Sequence, residues 1–309
     1  MRFLYIFVIQ IKASNVMHKA GFVNIVGNPN VGKSTLMNSL VGERISIITS
    51  KAQTTRHRIM GIVNTEDMQI VYSDTPGVLE PNYKLQQSML AFSQSALQDA
   101  DVLLYVTDTV ETPTKNQKFI DKVNSQPAPV ILVINKIDLT DQKHLEELVA
   151  RWREILPKAE IIPVSAKLKF NLDYLLKRIE ELLPESPPFF DKDALTDKPA
   201  RFFVTEIIRE KILEVYDKEV PYACEVVVEQ FKESDGLIRI NAIIFVERDS
   251  QKGIIIGKQG KALKRVGSMA RKDIETFFQK KVFLELHVKV EHDWRSRENK
   301  LKSFGYNPE

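Results

Sequence analysis

The sequence has 309 residues but only one cysteine, Cys224. That excludes an intramolecular disulfide framework and any zinc cluster built on several thiolates, and it leads us to expect a reducing, cytoplasmic compartment. Histidine is also scarce, with His18, His57, His144, His287 and His292 making up the full set of five. No pair has the spacing of helical metal ligands, so each reads as a core or surface residue. His287 and His292 lie five apart in an extended run and so point to opposite faces. No apolar run reaches the roughly 18–20 residues that span a bilayer. The apolar start, residues 1–11, has the outline of a signal peptide, but no small-residue cleavage site follows it. Residues 1–16 are therefore expected to be an extension outside any domain, with Met17 a plausible start. A dominant charge is missing too: 44 Lys and Arg against 41 Asp and Glu leave +3. That balance argues neither for nor against a polyanionic partner. There is no internal repeat.

With 43% hydrophobic and 28% charged residues the chain can bury a sizeable core, and its length fits two domains. From Phe22 onward, strand patterns at 22–26, 57–64, 68–73, 102–107, 129–134 and 160–164 alternate with helical patterns at 33–41, 84–98, 114–124, 142–155 and 171–182. This order predicts an α/β fold with a mostly parallel sheet covered by helices on both faces, and ligands at the carboxyl ends of its strands. The segment from Pro184 through Pro187, Pro188 and Pro199 breaks every periodicity and reads as a stiff connection. The expected organisation is a domain over 17–184, a linker over 185–199 and a second domain over 200–309. In the second domain a helix at 201–216, strands at 222–232 and 236–247, a helix at 261–278, a strand at 282–291 and a terminal helix at 295–304 predict a smaller α+β domain with an antiparallel sheet.

Gly27-Asn28-Pro29-Asn30-Val31-Gly32-Lys33-Ser34, followed by Thr35, fits the phosphate-binding pattern G-x-x-x-x-G-K-[ST] between a strand and a helix. Glycines let backbone N–H groups close around phosphate oxygens, and the helix N-terminus adds a favourable dipole. Lys33 supplies charge to the β- and γ-phosphates, and the Ser34 hydroxyl can ligate Mg²⁺. Asp74-Thr75-Pro76-Gly77 follows a strand, so Asp74 can hold the metal through water and the Gly77 N–H can sense the γ-phosphate. Asn135-Lys136-Ile137-Asp138 and Ser165-Ala166-Lys167 each follow a strand. A carboxylate at Asp138 can accept from guanine N1–H and its 2-amino group, neither of which adenine presents, while the second loop brings an N–H to guanine O6. Either loop alone is an ordinary turn; four elements in this order favour GTP over ATP. In Gln53-Thr54-Thr55-Arg56-His57 a threonine can complete the Mg²⁺ shell, with Thr55 ahead of Thr54. Lys33, Thr55 and Gly77 are thus the candidate catalytic set. Val78 stands where small GTPases carry the glutamine that orients water, so slow or assisted hydrolysis is expected. Asn30 is placed to help hold a monovalent cation, K⁺, beside the phosphates.

In the second domain, Gly257-Lys258-Gln259-Gly260 joins an apolar turn (Ile254 to Ile256) to a basic helix starting at Lys261, where a nucleic-acid backbone can approach main-chain N–H groups. Residues 248–302 carry 15 Lys and Arg against 7 Asp and Glu, whereas residues 201–247 carry 6 against 10. Lys258, Lys261, Lys264, Arg265, Arg271 and Lys272 form a candidate basic edge beside the clamp. Trp294 either fills the core or stacks a base, the core being favoured.

From about residue 17 to the C terminus this combination resembles the Era family of bacterial GTPases. The resemblance implies a Ras-like G domain followed by a type II KH domain. It also implies binding to 16S ribosomal RNA near its 3′ end and a GTP-controlled part in maturation of the small (30S) subunit. Peripheral association with the inner membrane follows from it, and potassium-assisted hydrolysis in related GTPases strengthens the interest of Asn30. A monomer is expected. Residues 1–16 depart from the family pattern. The competing reading is a GTPase of membrane or cell-division processes whose C-terminal domain binds protein.

Overall fold

In the computed structural model the described residues are 17–111 and 116–306. The first half alternates β1 (Lys19–Gly27), α1 (Lys33–Val41), β2 (Ile59–Asn64), β3 (Met68–Asp74), α2 (Lys84–Gln98), β4 (Val102–Asp108), α3 (Gln117–Asn124), β5 (Val130–Asn135), α4 (Gln142–Ile155), β6 (Glu160–Pro163) and α5 (Leu172–Leu182). The extension expected over 1–16 and the first residues of the helix expected from 114 lie outside the described residues. The sheet order is β2-β3-β1-β4-β5-β6, all parallel except β2, which runs antiparallel on β3. β4 is buried along its whole length, as a strand covered on both faces must be. Val23, Ile25, Leu104 and Val133 fill one face, and Val26, Leu103, Tyr105 and Trp152 the other.

Register brings the candidate site together. Ile25 pairs with both Asp74 and Leu104, Gly27 with Val106, and Asp108 with Asn135. The carboxyl ends of β1, β3, β4 and β5 therefore converge on one edge, where a doubly wound sheet takes its ligand.

Residues 185–197 run along this first sheet. The Ile62 N–H donates to the Leu195 carbonyl at 2.8 Å, and the Thr196 hydroxyl donates to the Met60 carbonyl at 2.7 Å. The Gln69 side chain bonds the backbone of Phe189 and Phe190, and the Phe22 and Phe189 rings lie 4.8 Å apart. The prolines remove backbone donors, so the segment can edge the sheet but not extend it.

The second half contains α6 (Ala200–Val215), β7 (Glu225–Ser234), β8 (Leu237–Val246), α7 (Asp249–Ile256), α8 (Lys261–Phe278), β9 (Lys281–Val290) and α9 (Glu298–Ser303). Three expectations are corrected here. The sheet, ordered β7-β8-β9, is mixed: β7 and β8 form the antiparallel hairpin, but β8 and β9 are parallel because α7 and α8 carry the chain back across the sheet. The apolar turn before the Gly257 loop is the last turn of a helix, α7. Its start is fixed by the Gln251 side chain, which accepts the Glu247 and Arg248 N–H groups at 2.9 and 3.0 Å. Gly253 and three successive isoleucines hide that helix from propensity. His292 lies beyond β9 rather than within it. Among the described residues no helix is long and apolar enough to cross a membrane.

Candidate active site and nucleic-acid interface

The loop after β1 closes around its own lysine. Lys33 is buried at the start of α1, and its ammonium donates to the carbonyls of Gly27 at 3.0 Å and Asn28 at 2.8 Å. Burial pushes its pKa down to about 8, against the opposing pull of Asp74 and Glu111. An anion brought here would restore the charged form, which is what a phosphate site needs. Gly32 has φ 94°, and a Cβ there would lie 2.3 Å from Asn135 Nδ2, so only glycine fits.

A cluster of hard oxygen donors stands beside this loop. Ser34 Oγ donates to Asp74 Oδ2 at 2.7 Å and lies 2.9 Å from Thr55 Oγ1, which is itself 3.3 Å from the same carboxylate oxygen. Asp74 Oδ1 is buried with no hydrogen-bond partner, and burial raises the pKa of this carboxyl. Two hydroxyls and a desolvated carboxylate with an open oxygen suit Mg²⁺, which prefers oxygen ligands, so the residues fit the metal. The alternative threonine is used elsewhere: Thr54 Oγ1 bonds Thr49 Oγ1 and the Lys51 carbonyl, both at 2.6 Å.

A cavity of about 380 Å³ opens over these groups, lined by Asn30, Lys33, Ser34, Thr55, Gly77 and Lys136 among others. Pro29 and Thr35 also face it. Thr75 and Pro76 turn inward: the Thr75 hydroxyl donates to the Ile25 carbonyl and the Pro76 carbonyl accepts from Ser93. Val78 is 4% exposed and packs in the apolar cluster with Val26 and Ile134, so it points away from the cavity.

On the far side, Asn135 Nδ2 donates to the Val31 carbonyl at 2.9 Å while its Oδ1 accepts the Ala166 N–H at 3.0 Å. One amide thus ties the phosphate loop to the Ser165-Ala166-Lys167 loop. Ser165 Oγ donates to Asp138 Oδ1 at 2.5 Å, fixing the carboxylate with its other oxygen free toward solvent. Lys167 is exposed. Lys136 has φ 62° and donates to Asp108 Oδ2 at 2.8 Å and to the Asn30 carbonyl.

Sequence reasoning missed three groups here. Asp108 ends β4, and a carboxylate at the end of a parallel strand was the available signal. Asn116 bonds Asn28 Oδ1 and, at 3.2 Å, the Val78 carbonyl, linking the phosphate loop to the residue after Gly77. Arg209 of α6 reaches the Thr54 carbonyl from the other half of the chain. The last two carried no local signal.

The second site is an exposed loop. Gly257 caps α7, Lys258–Gly260 form a single 3₁₀ turn, and α8 begins at Lys261. Gly260 has φ 73° with nothing within 4 Å of a would-be Cβ, so the backbone there is open to approach. Lys258, Gln259, Lys261, Lys264, Arg265, Arg271 and Lys272 are all exposed. Among the described residues none of these six cations is ion-paired, and on α8 those at 261, 264, 265, 271 and 272 lie three, four or seven residues apart, spacings that share one face. A groove of about 360 Å³ between this helix and Leu284 and Leu286 of β9 runs beside them. Trp294 is fully buried and donates to the Ala223 carbonyl at 2.9 Å, so it is a core residue.

Residues 22–136 match the family model described as a 50S ribosome-binding GTPase, and residues 219–295 match the KH domain model. GTPase Era of Geotalea daltonii is 47% identical over 289 residues, covering 93% of this chain and 97% of that protein. The crystal structure of an Aquifex aeolicus Era variant bound to GDP·AlF4⁻ superposes with a TM-score of 0.90 at 41% identity, over 94% of this chain and all of that one. Era in complex with MgGDPNP and nucleotides 1506–1542 of 16S ribosomal RNA is as similar, with a TM-score of 0.90, 40% identity and the same coverage. The chain belongs to the Era family of GTPases.

Proposed function

We propose that this GTPase binds 16S ribosomal RNA near its 3′ end through the Gly257–Gly260 loop and the basic face of α8, and that GTP turnover gates this binding during maturation of the 30S subunit. The units are a G domain over 17–184, a connection over 185–199 and a KH-type domain over 200–309, acting as a monomer. The observation that carries the reading is an unpaired basic face beside an open glycine loop, in the same chain as the Ser34–Thr55–Asp74 oxygen cluster. The likeness to Era holding MgGDPNP and 16S nucleotides supports it. A cytoplasmic location with peripheral contact to the inner membrane completes the proposal.

In the G domain the N–H groups of residues 30–35 wrap the phosphates, Lys33 neutralises the β- and γ-oxygens, and the Asp138 carboxylate selects guanine. Ser34 and Thr55 hydroxyls and, through water, Asp74 would hold Mg²⁺, which when bound offsets charge on the transferring phosphoryl group. Water attacks the γ-phosphorus as the bond to the β-bridging oxygen breaks, giving GDP and phosphate. Thr55 and Gly77, which face the γ position, lose their partner on release, and residues 45–58 and 74–90 relax. The exposed side chain of Asn30 lies at the cavity rim, where it would help hold K⁺. Equal turnover in potassium and sodium buffers of matched ionic strength would remove that assignment.

The test is equilibrium binding of a 3′-terminal 16S fragment at fixed, stated salt, with GDPNP or GDP. GDPNP should tighten binding, and joint Gly257→Asp and Gly260→Asp substitution should weaken it at least tenfold while sparing GTP hydrolysis. Unchanged RNA affinity in that variant would refute the proposal.

A further inference from the structure

Residues between 47 and 55 wall the nucleotide cavity, yet much of what holds residues 44–56 comes from the C-terminal unit. The Arg44 guanidinium bonds both carboxylate oxygens of the buried Glu210, which also accepts the Ile48 N–H at 3.2 Å. Lys51 pairs with Asp217 at 2.9 Å and bonds the Tyr216 carbonyl. Arg209, 1% exposed, is held by Glu206 through two bonds of 2.9 and 2.6 Å and donates to the Thr54 carbonyl and, at 3.4 Å, to the Gln53 carbonyl. The Thr54 carbonyl belongs to the peptide plane that leads into Thr55. Fixing that plane sets the position of the Thr55 N and Cα from which Oγ1 reaches Ser34 and Asp74.

We propose that Arg209 is a positioning residue for GTP hydrolysis, supplied by the C-terminal unit to hold Thr55 in the Mg²⁺-binding arrangement. The inference rests on the reading of Thr55 as a metal ligand. A planar guanidinium suits the task, since it spans a carboxylate on one side and two successive carbonyls on the other, which a lysine ammonium cannot do with the same rigidity. Nothing in the Arg209–Glu206 pair needs the loop: three residues apart on α6, the two would satisfy each other without it. The contact is instead what the loop needs, because Thr54 and Gln53 sit between α1 and β2 and their carbonyls accept from Arg209, which does not line the cavity. Arg209 therefore bears on the triphosphate state, in which Thr55 is engaged, and not on the diphosphate state, in which the phosphate loop alone holds the ligand.

The test uses the full chain with Arg209→Lys and with the paired change Arg209→Met and Glu206→Leu, which leaves no buried charge alone. GDP affinity should stay within about twofold of the parent. The Mg²⁺ concentration for half-maximal GDPNP binding should rise about tenfold, the scale of a lost charged hydrogen bond, and kcat should fall by a similar factor. Arg209→Lys should recover part of both. Unchanged Mg²⁺ dependence and kcat would overturn the proposal, as would equal losses of GDP and GDPNP affinity together with a lowered melting temperature. Thr55→Ala run in parallel separates the two layers. If it shifts the Mg²⁺ dependence while the Arg209 variants do not, only the role of Arg209 falls; if it shifts nothing, the metal assignment of Thr55 falls and this inference with it.

Discussion

Arg56 offers the sharpest test of how the two halves are joined. It follows Thr55 in the loop ahead of β2, yet its side chain is 0% exposed and sits in the C-terminal unit. Its guanidinium donates to the Cys224 carbonyl at 2.8 Å, the Tyr222 carbonyl at 3.0 Å and Glu225 Oε2 at 3.0 Å, with the Trp294 ring 5.9 Å away. Glu225 is equally buried and has one further partner, the Tyr306 hydroxyl at 2.6 Å. Arg56→Met would leave that carboxylate unpaired in the interior, a change that costs about 3–5 kcal/mol. Replacing both residues, Arg56→Met with Glu225→Gln, removes the stranded charge and should recover about 2 kcal/mol of it.

The sign of the pH dependence is fixed as well. Burial raises the Glu225 pKa from its ordinary value of 4.5, and Arg56 is the first group opposing that rise. Without Arg56 the folded state holds a proton on Glu225 at pH values where the unfolded state has lost it. Stability of the Arg56→Met variant should therefore fall, relative to the parent, as pH rises above about 4.5. Urea unfolding reads both effects, and since the chain has two tryptophans, a Trp152→Phe background leaves Trp294, beside Arg56, as the reporter. A single-variant loss below about 1 kcal/mol, or additive costs in the double variant, would refute the reasoning.

Three further outcomes follow from the site and the interface. Because burial lowers the Lys33 pKa to about 8, nucleotide binding above that pH should take up a proton, visible as a buffer-dependent enthalpy in calorimetry, and Lys33→Ala should abolish both the proton uptake and tight binding without unfolding the C-terminal unit. His57 stacks on Tyr306 with ring centroids 4.4 Å apart, and burial beside Arg209, Lys198 and Arg56 pushes its pKa down from 6.5 to about 3. The unfolded chain binds the proton first, so this group should remove stability as pH falls below about 6.5, by at most about 1.4 kcal/mol per unit, and His57→Phe should flatten that slope in acid-titrated melting curves. Val78→Gln should not speed hydrolysis, because position 78 faces the core; it should instead lower stability by about 1–3 kcal/mol through a buried amide, and faster turnover in the folded variant would contradict the placement.

Elements built from local periodicity were legible in the sequence, and α1 (Lys33–Val41), α2 (Lys84–Gln98) and α8 (Lys261–Phe278) fall where their patterns put them. What eluded reading depended on distant partners. The direction of β9 follows from the α7–α8 crossover, and α7 itself is made by a cap and hidden by Gly253. The nucleotide loops are legible for a chemical reason: phosphate, metal and base each need a short run of residue types at a strand end, so the requirement is written contiguously. Arg56, Asn116 and Arg209 meet carbonyls and carboxylates contributed from remote parts of the chain, and no spacing records that.

The chemistry of the joint bears on how a switch could use it. Glu210, Glu225, Arg56 and Arg209 are all buried where the halves meet, and a well-packed apolar replacement of such pairs would often be as stable or more so. Ion pairs differ from apolar contacts in what happens on separation. Each partner regains water, so the separated state is penalised less than one exposing an equal area of leucine. They also differ in tolerance, since a small misalignment strands a desolvated charge. A joint of this kind favours one docked geometry sharply while leaving an undocked, hydrated state within reach. The apolar part lies in two places: Phe203 of α6 joins the core of the first half, and Leu85 and Met89 of α2 meet Trp294, Leu301 and Tyr306. Because α2 follows Gly77 and the charged part grips residues 44–56, both segments proposed to border the γ-phosphate are held by the C-terminal unit. Any ligand whose binding changes docking must then change nucleotide affinity, and by the same factor nucleotide changes the affinity for that ligand.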